Sequence, residues 1–151
     1  MLELATRKDR SAVNRLARQV HELHVRWRPD LYTMPEELFP EDLFSELVKS
    51  RELYVAKLDG TVVGFAWVRI RTSEGVGLVT RKVMLINQVC VDEELRNRGI
   101  GTRIMEELRV LARAFGCTDL QLSVYPQNDE AVSFYQKCGF MIQSINMQRK
   151  V

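Results

Sequence analysis

The stretch Asn87-Gln-Val-Cys-Val-Asp-Glu-Glu-Leu-Arg96-Asn-Arg-Gly-Ile-Gly101-Thr-Arg-Ile-Met-Glu-Glu-Leu-Arg109 reads as an apolar strand, a charged turn, a glycine-containing loop and an amphipathic helix. Gly99 and Gly101 remove side chains where the helix begins, so a ligand can approach the backbone closely. The first N–H groups of a helix have no internal partner and lie at the positive end of its dipole. Such a start is an anion site, most often for phosphate. Arg96, Arg98 and Arg103 add positive charge around it.

Outward from this stretch, helical and extended segments alternate. Residues 2–5 suit a short first strand, and Thr6 with Asp9 resembles a helix start. Val13, Leu16, Ala17, Val20, Leu23 and Trp27 then recur at helical spacing until Arg28-Pro29-Asp30 breaks the pattern. A second helix lies within 35–50. Strands are expected over 53–58 and 62–71, joined by the hairpin signal Asp59-Gly60. Further strands are expected over 83–91, 120–124, 140–142 and 144–149. Residues 99–115 form a helix with Ile100, Ile104, Leu108, Leu111 and Phe115 in one stripe, and Gly116 follows where a C-terminal glycine belongs. Residues 129–138 form the last helix. No repeat or linker divides residues 1–151, which read as one α/β domain with antiparallel and parallel portions.

Bulk properties narrow the function. A chain of 151 residues with 46% apolar and 28% charged residues can bury a real core as a single domain. A net charge of +2 argues against nucleic acid as the partner. No apolar run approaches the ~18 residues of a membrane span, and the charged start does not suit a signal peptide. Cys90, Cys117 and Cys138 are odd in number and widely spaced, so neither a zinc site nor a disulfide framework is indicated. His21 and His24 lack the further partners a metal would need. A cytoplasmic protein without a metal is the expectation.

The glycine loop admits several phosphate ligands. A P-loop would need Lys-Ser/Thr after its last glycine, and Gly101-Thr102-Arg103 lacks it. A dinucleotide fingerprint would need a third glycine where Ile104 stands, and more strand–helix units than remain. A plain helix start with no ligand is the simplest alternative. A second constellation follows later in the chain: Asn128-x-x-Ala131-x-x-Phe134-Tyr135-x-x-x-Gly139-Phe140. Together with Arg96-x-x-Gly99-x-Gly101, it resembles the GCN5-related N-acetyltransferase (GNAT) superfamily.

That resemblance covers the whole chain and is strongest over 83–140. It implies a mixed α+β fold, with a central sheet of about six to seven strands flanked by about four helices. It implies an acyltransferase that moves the acetyl group of acetyl-CoA to a primary amine by direct attack in a ternary complex. Val89, Cys90 and Val91 match the positions that pair with the pantetheine arm, and an apolar strand edge can offer such an arm N–H and C=O groups. Arg96, Asn97, Arg98, Gly99, Ile100, Gly101 and Thr102 match the pyrophosphate loop. Asn128 matches the family asparagine near the arm, although Asn is also an ordinary helix cap. Tyr135 matches the tyrosine beside the cofactor sulfur, where a phenol can donate to the departing thiolate at neutral pH. A core aromatic beside Phe134 is its plainer reading.

The acceptor side is less specified. Leu85, Asn87, Gln88 and Ser123 stand where many relatives carry a base, and none is a competent one. Glu22, His24, Tyr125 or ordered water could serve. Glu22, Asp30, Glu36, Glu37, Glu41, Asp42 and Glu46 suit either a cationic amine or a solvated face. Trp27, Tyr32 and Met34 suit either the acceptor mouth or the core. The missing base also leaves room for a non-catalytic acyl-CoA-binding regulatory domain, and the loop itself for a nucleotide-binding domain. Homodimers are common in the superfamily; no stretch here marks one.

Overall fold

A computed structural model describes residues 1–151. Strand β1 (Leu2–Leu4) leads into a 3-10 turn (Arg7–Asp9) and helix α1 (Arg10–Trp27). The Asp9 carboxylate sets this entry by accepting from the Thr6 N–H at 2.8 Å and the Thr6 hydroxyl at 3.0 Å. Helix α2 (Glu41–Lys49) follows, then β2 (Leu53–Leu58), β3 (Thr61–Ser73) and β4 (Arg81–Val91). The chain ends its regular structure with α3 (Ile100–Ala114), β5 (Asp119–Leu122) and α4 (Asp129–Lys137). No helix is long and apolar enough to cross a membrane.

The sheet order is β1-β2-β3-β4-β5. The first three pairings are antiparallel, and β5 joins β4 in parallel. The β2–β3 turn places Asp59 at φ 49° and Gly60 at φ 79°, the double left-handed geometry that matches hairpin twist. Alternation along β2 divides the core between the two faces. Leu53 and Val55 join Val13, Leu16, Ala17, Phe44 and Leu47 of α1 and α2. Tyr54 and Ala56 join Ile100, Ile104, Met105, Leu108 and Ala112 of α3. The sheet therefore separates an α1/α2 face from an α3/α4 face.

Two expectations change. Phe115 leaves the α3 stripe and caps the helix, 48% exposed, while Met105 and Ala112 are buried in its place. The sheet has five strands rather than six or seven, because 140–142 and 144–149 form none and β5 stops at Leu122. Those segments have the composition of strands, but a strand exists only through a partner ladder. Met141, Ile142, Ile145 and Met147 instead lie 73–88% exposed beyond Phe140. The Arg28 guanidinium holds this tail by donating to Gln148 Oε1 at 2.9 Å.

Candidate active site

Strand β4 carries a free edge where the outer strand β5 leaves it. Its pairing with β5 ends at Ile86↔Leu122, whereas its ladder with β3 continues to Gly64↔Val91. The cause is visible in the β3 register, where Trp67 faces Gln88 and Val68 faces Ile86. Asn87 is thus an extra residue, a β-bulge that bends β4 where β5 departs. Residues 87–91 are left with backbone N–H and C=O groups on the β5 side that no strand takes up. Gly64 permits this geometry on the other side, since a Cβ there would lie 2.7 Å from the Cys90 carbonyl oxygen.

Val89, Cys90 and Val91 all lie on this free edge. The Cys90 side chain itself is buried toward α1, its thiol donating to the Leu16 carbonyl at 3.3 Å. Burial pushes that thiol up to about 12. Asp92 ends the strand and clamps α1 onto it: Arg15 donates to the carboxylate at 2.8 Å and Gln19 at 3.4 Å. The Glu93 N–H returns a bond to Gln19 Oε1 at 3.0 Å.

The glycine loop follows directly. Asn97 and Gly99 are both left-handed, at φ 62° and 78°, and turn the chain into α3. Arg96, Asn97, Arg98, Gly99 and Thr102 are exposed around the helix start, and Ile100 is buried beneath it. A Cβ built on Gly99 would meet nothing within 4 Å. Gly101 has a different reason: its missing Cβ is replaced by the ring of Phe134, which a Cβ would meet at 3.1 Å. Arg103 is held by Glu107 at 3.1 Å on the solvent side.

That contact locks the two sequence motifs into one unit. Phe134 of α4 presses on the first turn of α3, and Tyr135 beside it packs edge-on against Phe134 and Phe140 at centroid distances of 5.4 and 5.8 Å. Tyr135 is half-buried. Burial, with the Cys138 and Cys90 thiols nearby, pushes its phenol up to about 12, so it keeps its proton at neutral pH. Asn128 caps α4 by accepting from the Ala131 N–H at 3.2 Å.

A cavity of about 350 Å³ opens beside the bulge, lined by Arg71, Leu85, Ile86, Asn87, Gln121, Leu122, Ser123 and Gln143. Leu85, Asn87 and Ser123, expected on the acceptor side, meet here. Arg71, Gln121 and Gln143 were not foreseen; only the tertiary path brings β3, β5 and the tail together beside the bulge. No carboxylate lines the cavity. Of the early acidic residues, Glu37 pairs with Arg10, Asp30 with Arg28, and Glu22 lies near Arg18. A cavity of equal volume beside Arg10 and Glu37 contains no residue of either motif.

Residues 17–140 match the model of the acetyltransferase (GNAT) family. The N-alpha-acetyltransferase of Sulfurisphaera tokodaii is 28% identical over 114 residues, covering 71% of this chain and 67% of that protein. The curated relatives first matched are spanned by the chain over only 24–67% of their lengths. The crystal structure of a mutant BH1408 protein from Bacillus halodurans superposes with a TM-score of 0.95 at 28% identity, covering 100% of this chain and 99% of that one. Aminoglycoside N-acetyltransferase AAC(6')-Iy, solved with CoA, shares the fold at a TM-score of 0.65 and 18% identity, covering 100% of this chain and 99% of that one.

Proposed function

The chain belongs to the acetyltransferase (GNAT) family, and we propose that it transfers the acetyl group of acetyl-CoA to a primary amine by direct attack. The free β4 edge at 87–91 carries this reading, because it opens between a phosphate-type helix start and a protonated tyrosine. The pantetheine arm would pair with Val89, Cys90 and Val91 as an added strand. The pyrophosphate would rest on the N–H groups of 97–102, with Arg96 and Arg98 at its flank. Asn128, the cap of α4, would contact the arm in the same opening.

Amine attack expels a thiolate, and Tyr135 would donate to it. An ordinary thiol has a pKa near ~8.5, so full proton transfer from a phenol near 12 would be uphill in water. Desolvation raises the pKa of a thiol too, so a sulfur expelled out of water would accept the Tyr135 proton. Holding amine and thioester together in the split supplies much of the remaining acceleration.

The cavity offers amides, a hydroxyl and one guanidinium. That lining supports an amine bearing hydroxyl, amide or anionic groups rather than a polycation. Its lack of a carboxylate favours one rival, a non-catalytic acyl-CoA-binding domain. Calorimetry with CoA and acetyl-CoA, followed by free-thiol release across a panel of amines, separates the two. Binding with steady turnover supports transfer; binding without turnover supports the rival; no binding sinks both.

A further inference from the structure

On the acetyl-transfer reading, on which this assignment depends, we propose that His24 takes the proton from the acceptor amine. Helix α1 is fixed in register over the end of β4 by the bonds of Leu16, Arg15 and Gln19 to Cys90, Asp92 and Glu93. Five residues beyond Gln19, a rise of roughly 7.5 Å along the helix, carry His24 onward to the segment that follows β5. There its ring meets Tyr125 at a centroid distance of 5.6 Å. Tyr125 stands three residues beyond the end of β5, on the segment whose Ser123 lines the cavity. His24 thus lies beside the segment that leads out of the acceptor cavity, on the α1 face of the sheet, whereas Tyr135 packs on the α3 face.

The surroundings suit a neutral imidazole. His24 packs against Tyr32 at 5.3 Å and Trp27 at 6.1 Å, and the hydroxyls of Tyr32 and Tyr125 bond to each other rather than to its ring. His21 is engaged with the Thr33 carbonyl at 2.7 Å, which leaves His24 as the uncommitted histidine of the pair. The groups facing it are His21 on its own helix, Tyr32 from the following loop and Tyr125 from the segment after β5, with Arg28 near both tyrosines and itself paired with Asp30. No free carboxylate is among them. Burial lowers the His24 pKa, and His21 lowers it further, so the ring is a base at neutral pH. Glu22 is two positions away, roughly 200° around the helix, and exposed.

The step balances. The ammonium of the acceptor gives one proton to the imidazole, and the freed nitrogen pair attacks the thioester carbonyl carbon. The C–S bond breaks with its electron pair going to sulfur, which takes the Tyr135 proton. The second proton of the new amide nitrogen restores Tyr135, and the imidazolium releases its proton to water at the cavity mouth.

The test compares wild type with His24→Gln and His24→Phe, the second of which keeps the aromatic packing. Acetyl transfer is followed by free-thiol release on two acceptors, an alkylamine and an acylhydrazine, which is already neutral at pH 7. CoA affinity should be unchanged by calorimetry. With the alkylamine, kcat/KM should fall by about 10²-fold or more, and its acidic limb should move from the lowered histidine value to the pKa of the amine. With the acylhydrazine, the loss should stay within a few fold. Equal losses on both acceptors, or an unchanged alkylamine profile, would overturn the assignment. Wild type that binds CoA but turns over neither amine would instead remove the transfer reading, and this assignment with it.

Discussion

Gly101→Ala tests whether the loop and Tyr135 are positioned as one unit. The new Cβ would lie 3.1 and 3.2 Å from Phe134 ring carbons, inside the ordinary contact range that begins at 3.4 Å. The ring must retreat by roughly 0.3 Å, and overpacking of this kind costs ~1–3 kcal/mol. Gly101 is helical, so the change to Ala returns ~0.5–1 kcal/mol of backbone entropy. A net loss of about 1 kcal/mol should lower Tm by ~2–4 °C. Displacing Phe134 also displaces Tyr135, so kcat should fall several-fold while CoA affinity changes little. Thermal melts and calorimetry on Gly101→Ala, Phe134→Leu and the double variant measure the coupling. The smaller Leu should absorb the Cβ, giving a coupling of ~1 kcal/mol. Gly99→Ala is the control: at φ 78° with open space around it, it should cost ~1–2 kcal/mol irrespective of Phe134. Equal destabilisation by Gly101→Ala with and without Phe134→Leu would refute the shared-unit reasoning.

Tyr135→Phe should lower kcat by ~10²-fold or more with CoA affinity nearly intact, measured by thiol release and calorimetry; an unchanged kcat would remove its donor role. Arg71→Ala should raise KM for acceptors bearing a carboxylate or phosphate and leave neutral acceptors alone, which a substrate-panel comparison reads directly. Asp92 is held below its ordinary 3.8, chiefly by Arg15, then by the Glu94 N–H and Gln19 against burial. Its folded pKa is depressed, so its contribution to stability is present above pH ~4 and is lost as pH falls through the lowered value. Asp92→Asn should flatten that acid loss in pH-dependent melts, and a parallel acid profile would count against the α1–β4 clamp.

Much of this molecule was readable from residue order because the relevant physics is local. Asp59-Gly60 can adopt the left-handed turn, Thr6 and Asp9 can cap a helix start, and the α3 stripe repeats at helical spacing. Both motifs lie on elements of the expected type, and Gly99 has the open, left-handed geometry that a phosphate cradle needs. Tertiary contacts decided the rest. Asn87 looks like any strand residue until the unequal β3 and β4 registers make it a bulge and free the edge beside it. Gly101 reads as a second cradle glycine, yet its space is taken by a ring from α4. The tail reads as two strands by composition, but strands need partners and none pairs with it. His24 and Glu22 are indistinguishable as bases in the sequence. Only the packing of α1 sets one against Tyr32 and Tyr125 and leaves the other in solvent, because which way a side chain faces depends on what its helix packs against.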